Sequence, residues 1–176
     1  MRSKRFGGLS ASVAVGCLAA GFATMAHAAL GGTPMTPPAA DTAAVVRTLA
    51  PSVNASTSTT GATSSTSTAS SANYTVRETT LGSGTVIREY LSTAGSVFGI
   101  AWQGPVKPDL ASLLGTYFSQ YTAGVDASHA ALGVRAPVAI DSATLVVHSG
   151  GHMGAFTGQA WLPQALPSGV TGSDIQ

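Results

Sequence analysis

Three patterns succeed one another along this chain: an unbroken apolar run near the start, a stretch almost without large apolar side chains, and a periodic region. The periodic region spans residues 73–167. Residues 74–81 are rich in β-branched and aromatic side chains with partial alternation, which predicts a strand. Gly82, Ser83 and Gly84 supply a turn, and residues 85–91 predict a second strand. After a turn at residues 92–95, residues 96–103 predict a third. Strict alternation puts Phe98, Ile100 and Trp102 on one face and Val97, Gly99 and Ala101 on the other. Turns this short favour an antiparallel meander.

The period then changes. Leu110, Leu113, Leu114, Tyr117, Phe118 and Tyr121 recur at steps of three and four, the apolar stripe of a helix of about three turns. Pro108 and Asp109 suit its first turn. Residues 122–137, with Gly124, Gly133 and Pro137, read as a loop. Short strands are predicted over residues 138–140 and 143–149. Gly150 and Gly151 then turn the chain into a last strand over residues 153–162. The expected class is α+β: a small antiparallel sheet made of a three-strand meander, one helix and two or three further strands, with the helix packed across one face. No internal repeat is present.

The opening 28 residues follow a different logic. Arg2, Lys4 and Arg5 precede an apolar run over residues 9–25, and Ala26, His27 and Ala28 end it with small residues at the cleavage positions. This is the pattern of a cleavable signal peptide, with the mature chain starting at Ala29. The one cysteine, Cys17, lies inside the leader; lipid attachment there is the less favoured alternative. Cleavage after Ala28 leaves no thiol, hence no disulfide and no thiolate metal site. Residues 29–72 are expected to be a disordered linker, Pro-rich and then Ser/Thr/Ala-rich, with one short helix at residues 41–50 capped by Asp41. The Ser/Thr tract is a candidate for O-glycosylation. Residues 168–176 read as a polar tail.

Charge narrows the function classes. Past the leader, five basic and seven acidic residues remain, so no basic patch is available for nucleic acid. Without the leader no segment approaches the roughly 20 apolar residues of a spanning helix. The periplasm is the expected compartment.

Candidate chemistry is sparse. His148 and His152 flank Gly150 and Gly151, and a tight turn there would bring both rings to one metal, with His129 as a third ligand. No acidic residue is adjacent in sequence. Ser83 lacks the flanking pattern of a nucleophile elbow, and no catalytic residue is assigned. Glu78 and Glu89, beside Arg77 and Arg88, read as cross-strand ion pairs on a solvated face, worth about 1 kcal/mol or less each. Trp102 and Trp161 are candidate ligand-binding aromatics, though aromatic residues more often anchor a small core. No cofactor is expected unless the histidines hold a metal.

Several segments taken together carry a likeness: Ala29, Leu30, Gly31 and Gly32, then residues 74–90, 98–105, 113–118 and 149–153. This set resembles an uncharacterised exported proteobacterial family, the domain of unknown function numbered 2844. The resemblance implies export and a single compact domain, and brings no activity, cofactor or catalytic residue. The expectation is a non-catalytic envelope binding or assembly module whose partner is another envelope protein or an envelope ligand. The alternative is a metal- or histidine-dependent enzyme built on His148 and His152.

Overall fold

The computed structural model describes residues 30–49 and 73–176. The leader, Cys17 and the Ser/Thr tract lie outside the described residues. Seven strands form one antiparallel open sheet: β1 (Val45–Leu49), β2 (Tyr74–Thr80), β3 (Val86–Ser92), β4 (Val97–Gly104), β5 (Val138–Asp141), β6 (Val146–His152) and β7 (Ala155–Trp161). Their spatial order is β1-β2-β3-β4-β7-β6-β5. The helical segment between β4 and β5 comprises α1 (Leu110–Leu114), a 3₁₀ turn (Gly115–Tyr117) and α2 (Phe118–Leu132). The class is α+β. Four strands rather than three precede the helix, because β1 adds to the edge of β2.

The predicted stripe is the one that packs. Leu110, Leu113, Leu114 and Tyr121 are buried against Ile87, Ile100, Trp102, Val147 and Ala160 of the sheet. Fully burying each leucine contributes on the order of 2 kcal/mol, an upper figure for area counted from an extended chain. Asp109 caps the start by accepting from the Ala111 and Ser112 amides. The helix runs on to Leu132, well past the predicted end. Gly124 misled the sequence reading: it sits inside α2 where a Cβ would meet Ile140 Cδ1 at 2.4 Å. It marks close helix–sheet contact, not a loop.

Alternation fails in β4 for a defined reason. Tyr90 pairs with Gly99 and Leu91 with Val97, so Phe98 is an extra residue, a β-bulge. Phe98 therefore leaves the face of Ile100 and Trp102, and Val97 takes its place in the helix-side core. Phe98 packs on the other face with Tyr90 and, edge to face, with Tyr74 at 5.8 Å between ring centroids.

Two segments expected to be unstructured belong to the fold. Leu30 is 2% exposed, and a strap at its position is pinned by Leu30 N–H to Leu113 O and by reciprocal bonds between Gly31, Gly32 and Val97. Residues 45–49 form a strand, not the helix predicted for residues 41–50. Asp41 caps no helix; its carboxylate accepts from the Gly82 amide at 2.8 Å. At the other end the supposed polar tail crosses the sheet face opposite the helix. Ile175 there is 0% exposed and packs with Tyr74, Val76, Tyr90 and Phe98. A short 3₁₀ turn (Gly172–Asp174) sets it in place, with Asp174 accepting from the Thr171 amide. Apolar residues spaced too widely to show a period, such as Val170 and Ile175, are invisible to periodicity arguments.

Candidate functional site

The sheet has two unlike faces. The helix covers one. The C-terminal tail covers only part of the other, running over the row that joins Val76, Tyr90, Gly99, Trp161 and Val146 by register. The next row is covered only at its start, where Gln176 reaches Arg88 and where Glu78 and Ala101 are buried. It begins with Arg47, Glu78 and Arg88 and continues through Ala101, Gln159, His148 and Ala139. Register partners in an antiparallel sheet share a face, so this row crosses all seven strands on one side. A further row sets Val86, Gln103, Thr157 and Gly150 beside it.

These rows floor two adjoining depressions of about 410 and 320 Å³. Both are lined by Thr157, Gly158 and Gln159. The first also has Arg88, Gln103 and Gln176 on its walls, and the second has Pro137, Ala139, His148 and Gly150. Ala101, Ala139 and Gly150 make the floor low. No aspartate or glutamate side chain lines either depression.

The charged groups beside this trough each have a partner, although two arginines share one carboxylate. Glu78 is almost fully buried between two arginines: it accepts from Arg47 Nε and from Arg88 Nε, each at 2.9 Å. Burial by itself would raise the Glu78 carboxyl, but the hydrogen bonds and charges of Arg47 and Arg88 hold it below the usual carboxylate range. Arg88 also donates to Gln176 O at 3.1 Å, and Tyr90 donates to the same oxygen at 2.9 Å. His148 Nε2 lies 3.0 Å from Asp141 Oδ1. The sequence reading missed this partner because Asp141 is seven residues away and becomes a neighbour only through β5–β6 pairing.

The histidines do not gather. Gly150 and Gly151 are part of β6, and the hairpin turns instead at Met153 and Gly154. His148 and His152 are thus four residues apart in an extended strand, about 13 Å along it. His152 Nδ1 is 3.0 Å from Met153 O. His129 lies on α2, on the opposite side of the sheet. Among the described residues no group of three or more His, Cys, Asp or Glu side chains is placed to hold a metal ion.

The two tryptophans part company. Trp102 is 3% exposed and its indole fills the helix-side core above Gly158, where a Cβ would meet Trp102 Cζ2 at 2.3 Å. It is a core residue that also counts among those lining the first depression. Trp161 is partly exposed on the tail side, beneath Gly172, with His148 edge-on at 5.4 Å between ring centroids. Of this pair only His148 lines the trough.

A second polar cluster is buried on the helix side. Glu89 is 0% exposed, and its Oε1 accepts from the Met35 amide of the strap at 2.6 Å. Arg77, its register partner, reaches only to 3.7 Å, too long for a direct hydrogen bond. Glu89 Oε2 and Thr79 Oγ1 have no hydrogen-bond partner among the described residues. Burial pushes the Glu89 carboxyl up, against the opposing pull of the Met35 amide and Arg77. Neither Glu78 nor Glu89 sits on a solvated face, contrary to the sequence expectation.

The family model for protein of unknown function (DUF2844) matches residues 26–175. The chain belongs to this family. The match reaches from the strap to Ile175 and so takes in every strand, the helix and the tail that the DUF2844 fold packs together. No curated protein and no solved structure matches the chain. No helix among the described residues of this DUF2844 member is long and apolar enough to cross a membrane.

Proposed function

We propose that this DUF2844 protein is a non-catalytic, exported binding module of the cell envelope, and that its ligand face is the open half of the sheet. The observation that carries the reading is the trough itself. It is a formed depression floored by small residues, rimmed by polar side chains and lying beside charged groups that already have partners. A depression walled by amides and hydroxyls has the character of a binding site, and the one imidazole on its wall, His148, is held by Asp141. The leader pattern over residues 1–28 supports export, and the periplasm follows from it.

One observation favours the enzyme alternative. Asp141 and His148 form the orienting half of a nucleophilic arrangement. Among the described residues, however, no serine or threonine is hydrogen-bonded to the other ring nitrogen of His148. The pair is more simply an exposed surface contact.

The test is a photo-crosslinking residue placed at Thr157 of the full chain, produced in a bacterial host and irradiated in intact cells. Export gives a mature mass starting at Ala29 and a periplasmic fraction. Binding gives a crosslinked species at Thr157 that is absent when the same residue is placed at Asp126 on α2. A protein that stays in the cytoplasm, or that crosslinks equally at both positions, sinks the reading.

A further inference from the structure

We propose that the trough binds a neutral polyhydroxyl chain, a glycan segment laid across the strands. This deepens the binding-module reading and rests on it. The argument starts from unsatisfied groups. Gln103, Thr157 and Gln159 stand side by side on β4 and β7, and none of their side chains hydrogen-bonds to another described residue. Each glutamine offers two N–H donors and a carbonyl acceptor, and Thr157 adds a hydroxyl that both donates and accepts. Adjacent hydroxyls on a sugar ring are likewise donors and acceptors at once, and a planar amide can meet two of them together.

Charge disfavours the other ligand classes. An anion would meet Arg88, yet its Nε and Nη1 are already engaged by Glu78 and Gln176, and His148 is engaged by Asp141. A cation needs a carboxylate, and no aspartate or glutamate side chain lines the depressions. An extended peptide takes most of its affinity from backbone bonds to a strand edge. The trough lies on the face of the sheet, where β4, β7 and β6 spend their amides and carbonyls on one another.

Shape agrees. The depressions reach from β3 to β5, four inter-strand spacings, or about 19 Å, long enough for several sugar rings. Ala101, Ala139 and Gly150 keep the floor low, so a flat ring can settle beside the side-chain amides. Pro137 and Val138 add apolar surface at the β5 end.

The experiment titrates the full chain with three neutral tetrasaccharides (β-1,4-linked glucose, α-1,4-linked glucose and β-1,4-linked N-acetylglucosamine), with pyrophosphate and a Ser/Gly hexapeptide as charged and peptide controls. Binding is read by calorimetry and by the side-chain amide resonances of Gln103 and Gln159. At least one tetrasaccharide should bind more tightly than about 1 mM and shift both resonances. The Gln103→Ala, Gln159→Ala double variant should fold with a nearly unchanged urea midpoint, since Gln103 is exposed, Gln159 is half-buried and neither side chain hydrogen-bonds to another described residue, and should weaken that binding at least about tenfold. Failure of all three sugars at concentrations of roughly 10 mM, or binding indifferent to the double variant, overturns the glycan assignment. If the sugars fail while Thr157 still crosslinks to a partner in cells, the glycan assignment alone falls. If both fail, the binding-face reading falls with it.

Discussion

Replacing Glu89 by Gln tests how this fold tolerates a carboxyl in its core. The side chain is fully buried, and its amide analogue keeps the oxygen that accepts from the Met35 N–H. Burial raises the Glu89 carboxyl above the ordinary value of 4.5, so the folded state retains a proton that the unfolded chain has released. The linkage has one sign. The full stability from the neutral carboxyl is present below pH 4.5, declines as pH rises through the folded-state value, and is flat above it. One proton limits the slope to about 1.4 kcal/mol per pH unit. Glutamine does not titrate, so Glu89→Gln should gain on the wild type by up to that amount per unit as pH climbs from 4.5. Urea unfolding of both proteins at several pH values between about 4.5 and 8 measures the difference directly. The Glu78 contribution lies on the acid side and is common to both chains, so it cancels. A stability difference that stays constant over this range refutes the claim that burial outweighs Arg77 and the Met35 amide. So does a wild type that gains on the variant.

The remaining predictions concern packing and the histidines. Ile175→Ala should cost about 2–4 kcal/mol, because it opens a cavity between the tail and Gly99, Tyr90 and Phe98; a urea-midpoint change equivalent to under about 0.5 kcal/mol would show that the tail is not docked. Gly151→Ala should destabilise by at least about 1–3 kcal/mol, since φ there is +128° and a Cβ would meet Ala155 O at 2.2 Å; thermal unfolding reads the loss. As pH falls through the lowered folded-state value of Glu78, its contribution is lost; Arg47→Ala should shrink that acid-side loss, measured as the stability difference between pH 5 and about pH 3. Zinc and copper titrations should show no site tighter than about 1 mM, because His129, His148 and His152 stand on separated positions of the fold.

Much of the architecture was legible in the sequence. Every strand after residue 73 was found to within a few residues, because β-branched alternation survives on a sheet with a packed face. The helix was found from its stripe, with Pro108 and Asp109 marking its start, and the α+β class followed. What escaped was what local pattern does not encode. The Phe98 bulge reverses a face without altering composition. Gly124 resembles a breaker until Ile140 is seen against it. The strap at Leu30 and the anchor at Ile175 are single apolar residues in polar surroundings. The site fared similarly. His148 and Trp161 were singled out, but Asp141, Gln103, Thr157 and Gln159 were not, since an amide on a strand is unremarked until its neighbours are known.

The chain's order of apolar and polar residues determined by itself that strands and one amphipathic helix would form, and that few charges would be free. Such periodicity is a local property, fixed by the geometry of a strand or a helix turn. Which rows of side chains lie together, which half of the sheet the tail leaves open, and which carboxyl is buried beside which arginine were decided only by register and docking. Those depend on contacts between residues far apart in sequence, and the trough exists only as their product.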